Sequence, residues 1–162
     1  MNLAPLGLAA APQLAPIPAV HASVGSGQLI SACRLAWEQD GHLVALWVSD
    51  DRDRHRGFVL RVLLQDATGL VLLEHTLRDG SAQYPDLAMI FPSANRMQRA
   101  AFDLTGIASQ SDDPRPWLRM ASWPADVFPL RVDFEASPGW APGEEPYPFV
   151  HVEGEGVREI GV

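Results

Sequence analysis

The stretch HLVALWVSDDRDRHRGFVLRVLLQDATGLVLLEHTL, residues 42–77, decides the fold class. Residues 42–49, 58–65 and 70–77 are three short runs rich in Val and Leu, the length and composition of β-strands. The first run is apolar at successive positions, the pattern of a strand covered on both faces in the middle of a sheet. Between the second and third, Asp66-Ala67-Thr68-Gly69 supplies ordinary turn formers, which predicts a β-hairpin. The three runs therefore read as an antiparallel meander. Residues 50–57, DDRDRHRG, hold three Asp, three Arg and one His, but the charges are mixed. Loops of this kind between strands are usually solvated, and metal ligands are brought together by the fold, so a solvated hairpin loop is predicted, with partner docking as the alternative.

Working outward, Leu29, Ile30, Cys33, Ala36 and Trp37 recur with helical spacing over residues 28–39, and Asp40-Gly41 stops the pattern. This amphipathic helix can cover one face of the meander. On the other side, residues 87–91 are a short apolar segment, and Pro92-Ser93 starts a second helix with Ser93 as its N-cap. Ala94, Met97, Ala101 and Leu104 fall on one face of it, and Gly106 is placed as the C-terminal stop. Helix, meander, helix predicts an α+β fold: an antiparallel sheet of three to four strands covered by two helices, followed by an extended Pro/Trp-rich C-terminal arm. No Gly-rich loop stands at a strand-to-helix junction, so a phosphate-binding α/β fold has no support.

The ends of the chain read differently from its centre. Residues 1–20 are apolar, but they have no basic n-region and are interrupted by Pro5, Pro12, Pro16 and Pro18, which suits a flexible or polyproline-like leader better than a signal peptide. From residue 107 onward Pro, Trp and acidic residues dominate with little periodicity. The predicted organisation is a leader over 1–24, an α+β domain over 25–108, and an extended partner-binding arm and linker over 109–162. At 162 residues, 47% hydrophobic and 20% charged, the chain supports one domain with a real core.

Charge and cysteine content narrow the function. Acidic side chains outnumber basic ones 20 to 12 and every basic residue is Arg, so no basic face is available for nucleic acid. Arg also suits bidentate pairing with carboxylates where two chains meet. Cys33 is the single cysteine and reads as a buried helix residue; it allows neither an internal disulfide nor a thiolate cage, so an electron-carrying metal would belong to another chain or domain. No apolar run of about 18 residues spans a membrane, so membrane association is expected only indirectly, through partners.

No catalytic constellation emerges, and neither a cofactor nor a metal is expected. The serines lack a GxSxG elbow, and His21, His42, His55, His75 and His151 show no paired metal spacing. Glu74 and His75 alternate along a strand and so face opposite sides. Asp112-Asp113 and Glu144-Glu145 are adjacent pairs that point apart in extended chain.

The positive signal lies in residues 91–134, FPSANRMQRAAFDLTGIASQSDDPRPWLRMASWPADVFPLRVDF. This segment resembles the signature region of the 30 kDa subunit family of respiratory complex I, in which A-N-W-x-E-R-E-x-x-D-M-F-G-I is followed by G-H-P-D-x-R and by F-P-L-R-x-D-F. Ala94-Asn95, Arg99, Asp103, Gly106-Ile107, Asp113, Arg115 and residues 128–134 match it. Gln98 and Ala100 depart from the acids of the family helix, and Gln110-Ser111-Asp112 from its G-H-P. Residues 115–119, RPWLR, with Trp123-Pro124, and the ending FVHVEGEGVREIGV are similar to membrane-bound hydrogenases of the formate-hydrogenlyase and hydrogenase-4 type, in which a 30 kDa-like domain precedes the large subunit.

The resemblance implies a non-catalytic structural and assembly subunit or domain of a complex I-like NADH:quinone oxidoreductase or membrane-bound hydrogenase. Its partners would be a hydrogenase-like or complex I-like large subunit and an iron–sulfur small subunit, with the chain peripheral on the cytoplasmic face of the inner membrane. The interface residues it implies are Arg99, Asp103, Asp113, Arg115, Trp117, Arg119, Trp123, Phe128, Arg131 and Asp133. Spaced along a Pro-punctuated arm, its arginines can reach carboxylates while Trp117, Trp123 and Phe128 serve as apolar anchors. Those aromatics can equally cover the domain's own core. A stand-alone α+β interaction module derived from the family is the alternative, and a small hydrolase would rest only on scattered Ser and His.

Overall fold

The meander forms as read: β3 (His42–Asp50), β4 (Phe58–Asp66) and β5 (Gly69–Leu77) pair antiparallel, and Asp66 faces Gly69 across the hairpin turn. The computed structural model describes residues 3–13, 19–77, 83–119 and 122–136, together with Gly154 and Gly156. Two further strands, β1 (Ala10–Gln13) and β2 (Ala19–Ser23), complete a five-stranded sheet of order β1-β2-β5-β4-β3. β2 runs parallel to β5, with Val20 beside Val71 and Ala22 beside Leu73. The sheet is therefore mixed, not purely antiparallel as expected. The segment read as a leader supplies both extra strands. Pro12 fits β1 because β1 is an edge strand, where a missing N–H need not interrupt a ladder.

β3 also lies at an edge, a correction to its reading as a central strand. Its double-sided apolar pattern arises because Leu43, Leu46 and Val48 enter the core while Val44 and Trp47 remain partly exposed on the outer side.

α1 (Ser26–Glu38) follows β2 and leads to β3 at the opposite edge, so it crosses the sheet over β5 and β4. Leu29, Ala32, Cys33 and Ala36 are its buried face, and the Gly25 N–H donates to Gln28 Oε1 at 3.0 Å at its start. Burial pushes the Cys33 thiol up to about 12. Trp37 departs from its expected core position and is 61% exposed. The helix is closed beneath Ala36 instead: the Gly41 N–H donates to Ala36 O at 2.8 Å, and a Cβ at Gly41 would stand 2.7 Å from that oxygen.

The short apolar segment 87–91 forms a turn, with the Ile90 and Phe91 N–H groups both bonding Leu87 O. α2 (Ala94–Thr105) follows and packs against β3. Ser93 is not its side-chain cap: it is already helical in backbone and makes no capping bond. The preceding turn does that work, since the Ala94 N–H bonds Phe91 O and the Asn95 N–H bonds Pro92 O. Gly106 ends the helix at φ +75°, its N–H bonding Phe102 O at 2.7 Å. A short parallel pair, β6 (Gln83–Tyr84) with β7 (Ala108–Ser109), ties the two flanks of α2. Leu60, Val62, Leu64, Val71 and Leu73 from the sheet meet α1, Leu87, Phe91 and α2 in one core.

Candidate functional site

The arm does not hang free of the domain. Its first anchor is Asp103, on α2 and 1% exposed. The Asp103 Oδ2 accepts backbone N–H bonds from Trp117 at 2.7 Å, Leu118 at 2.6 Å and Arg119 at 3.2 Å. A buried carboxylate is tolerated only when its lone pairs are met, and here the arm's own backbone meets them.

One turn earlier on α2, Arg99 reaches the same segment from the other side. Its Nε donates to Arg115 O at 2.6 Å and its Nη2 to Pro116 O at 2.8 Å. Asp113 lies 3.6 Å from Arg99 Nη1 and accepts from Asn95 Nδ2 at 3.1 Å. Arg115 grips Asp113 through both Nε and Nη2 at 2.8 and 2.7 Å, and those bonds, with the one from Asn95, hold the carboxyl well below the usual range. Trp117 closes the group: the guanidinium carbons of Arg96 and Arg99 sit 5.0 and 5.4 Å from its ring centroid.

The second anchor gathers rings around Arg119 and Arg131. Arg119 Nη1 donates to Ala125 O at 2.7 Å, and its guanidinium carbon lies 5.6–5.9 Å from the rings of Phe102, Trp123 and Phe128. Phe102 and Phe128 meet edge to face at 6.2 Å, and the Trp123 indole N–H bonds Val127 O. Arg131 stacks 4.3 Å over Phe128 and donates from Nε to Thr105 O at 2.7 Å, an end carbonyl of α2. This approach depends on Gly106, where a Cβ would stand 2.9 Å from Phe128 Cζ.

Asp133 reaches the β3–β4 loop: Arg52 Nη2 donates to Asp133 Oδ1 at 2.9 Å and also pairs with the buried Asp50. Asp50 Oδ2 accepts the Val132 N–H at 3.0 Å. The loop read as solvated is exposed over residues 52–56, but its first two residues, Asp50 and Asp51, are buried. Burial raises the Asp50 carboxyl, but the bonds from Arg52 and Val132 outweigh it and leave the group below its ordinary value.

A further charge group was missed by sequence reasoning. On the sheet face away from α1, Arg61 donates from Nε to Glu74 Oε1 at 2.6 Å, from Nη2 to Asp51 Oδ2 at 2.9 Å, and bonds Ser49 Oγ. Arg56 adds a bond to Glu74 Oε2 at 2.7 Å, and His21 lies 3.2 Å from the same carboxylate. His75 points the other way, as expected, with Nδ1 2.9 Å from Val24 O and Nε2 3.2 Å from Ser26 Oγ.

Nine of the ten expected interface residues thus lie in the two anchors along α2 and at its end, and Asp133 joins the β3–β4 loop; together they fold the described part of the arm against the domain. The surface so formed is not wholly polar: Trp117, Leu118, Leu130 and Val132 are between 41% and 55% exposed. Gln98, where the family pattern has an acid, turns inward, accepting from the Leu87 N–H and donating to Asp86 Oδ1. Glu144-Glu145, His151 and nearly all of residues 149–162 lie outside the described residues.

A family model described as respiratory-chain NADH dehydrogenase, 30 Kd subunit, matches residues 22–139. No curated protein sequence matches the chain. Among solved structures, the trypsin-resistant fragment (1-134) of Nqo5 is similar with a TM-score of 0.59 and 14% identity, over 69% of this chain and 92% of that one. A chain of the membrane-bound sulfane sulfur reductase, an archaeal respiratory membrane complex, is similar with a TM-score of 0.61 and 16% identity, over 78% of this chain and 77% of that one. At these identities the likeness is one of fold.

Proposed function

The chain belongs to the respiratory-chain NADH dehydrogenase 30 kDa subunit family, and from that membership we propose that it is a non-catalytic assembly subunit, or the leading domain of a larger one, in a membrane-associated oxidoreductase complex. Its partners are a redox-active large subunit and an iron–sulfur small subunit, of either the NADH:quinone oxidoreductase or the membrane-bound hydrogenase kind. Those partners carry the electron-transferring groups, and this chain holds no cofactor. Family membership supports attachment to the cytoplasmic face through those partners; among the described residues no helix is long and apolar enough to cross a membrane.

The observation that carries this reading is the clamped arm. Asp103, Arg99 and Arg131 fix its backbone against α2, which leaves Trp117, Leu118, Leu130 and Val132 held outward at defined positions. Ordering such side chains beforehand lowers the entropic cost of docking them, and exposed apolar groups rimmed by Arg and Asp are what an interface between two proteins uses. The hydrogenase version is favoured by residues 115–119 and by the ending over 149–162. Gln98, buried and doubly bonded, offers no support to a stand-alone module that lost a contact there.

The test is recovery of the affinity-tagged chain from detergent-solubilised membranes. Stoichiometric large and iron–sulfur subunits are expected, and their recovery falls at least tenfold when Trp117→Ala is combined with Leu130→Asp, with the circular dichroism of the chain unchanged. Recovery of the wild-type chain alone would sink the proposal.

A further inference from the structure

The end of α1 breaks a rule that the rest of the fold keeps. The carbonyl end of a helix carries partial negative charge and favours cations, yet the last turn of α1 holds no basic residue and the helix closes with Glu38 and then Asp40. Asp40 also occupies a left-handed backbone conformation, φ +56°, that glycine adopts more freely. Among the described residues, no ion pair joins Arg34, Glu38 or Asp40 to another group. Three sources of negative potential are thus left together at one spot.

Beside this spot the surface is apolar. Trp37 is 61% exposed and Met89, on the turn before α2, is 88% exposed. Two grooves flank Trp37. One, of 520 Å³, runs along Glu38, Asp40 and His42 to Ile90 and Ser93; the other, of 250 Å³, lies between Arg34, Met89 and Ile90. An exposed Trp between two grooves, next to an exposed Met, is the composition of a binding anchor.

We propose that this surface is a second docking site, separate from the arm, for a segment of a partner protein that presents Arg or Lys beside a large apolar side chain. The basic group enters the larger groove, where Glu38, Asp40 and the helix end complement it and where it can lie over the face of Trp37. The apolar side chain enters the smaller groove against Met89 and Ile90. The inference rests on the reading of the chain as an assembly subunit, and charge complementarity selects a basic occupant.

The experiment is hydroxyl-radical footprinting, read by mass spectrometry, of the chain within the complex recovered by its tag and of the chain alone. Oxidation of Trp37 and Met89 is expected to fall at least fivefold in the complex, and Glu38→Gln with Asp40→Asn to restore at least half of it at 150 mM salt while the large subunit still co-purifies. Equal oxidation in the two samples, with the large subunit present, overturns this inference alone. Absence of the large subunit overturns the assembly reading and this inference with it. Protection of the isolated chain that grows with its own concentration means a second copy occupies the site, and protection by anionic phosphatidylglycerol vesicles means a lipid surface; either result overturns the proposal.

Discussion

Asp103 commits a buried negative charge to three backbone N–H groups that belong to another part of the chain. Asp103→Ala would leave those donors without their acceptor in a partly buried setting, and a loss of about 2 kcal/mol is expected in urea denaturation. The acids of the sheet and loop add a pH dependence. Asp50, Asp51 and Glu74 titrate below their ordinary values of 3.8, 3.8 and 4.5 in the folded chain: burial opposes this, but the bonds from Arg52, Arg61 and Arg56 prevail. The folded state thus resists protonation more than the unfolded one. Their contribution is complete above pH 5 and is lost as pH falls through the lowered values. Urea midpoints measured from pH 7 to pH 3 should hold steady and then drop on the acid side, with a shallower drop in Glu74→Gln. The Arg61–Glu74 pair could have been found by counting back along the hairpin from Asp66 and Gly69, which sets Arg61 opposite Glu74. Asp50 could not, because its partner N–H comes from Val132, in a different part of the chain.

Among the elements, those with strong periodicity were legible: α1, the three strands of the meander, and α2 with its Gly106 end all lie within a few residues of where the pattern puts them. The elements that escaped are short and borrow their order from neighbours. β2 is five residues long and gains its place only by pairing with β5, and β1 only by pairing with β2, so neither carries a local signal. The arm was legible as an extended segment rich in Pro and Trp, but its docking was not, since that depends on where α2 turns Asp103 and Arg99. The same layering predicts hydrogen exchange: amides of β4 and β5, flanked on both sides, should be the slowest, and those of edge strand β1 among the fastest. At the end of α2, Gly106→Ala combines a left-handed backbone with a clash against the Phe128 ring, and a loss of about 2 kcal/mol is expected from thermal denaturation.

For the molecule as a whole, the domain and its arm are two layers of unequal strength. The sheet and its helices share an apolar core, whereas the arm is held mainly by polar bonds and cation–ring stacking onto α2. Limited trypsin digestion of Asp103→Ala is therefore expected to cut first after Arg119, since the Arg115–Pro116 bond resists trypsin, leaving residues 1–119 as the longer-lived fragment; loss of that fragment as fast as it forms would show that the layers are one cooperative unit. The parallel pairing of β2 with β5 has its own consequence during synthesis. β2 leaves the ribosome before any strand of the meander, but its parallel neighbour β5 emerges some fifty residues later, as the register of Val20 with Val71 shows. The meander can close on itself from adjacent segments, while β2, with only β1 beside it until then, must wait to slot alongside β5, the last strand of this sheet to be made. The amino-terminal segment thus behaves as a latch, and a pause in translation once residue 77 has cleared the ribosome would give it time to close.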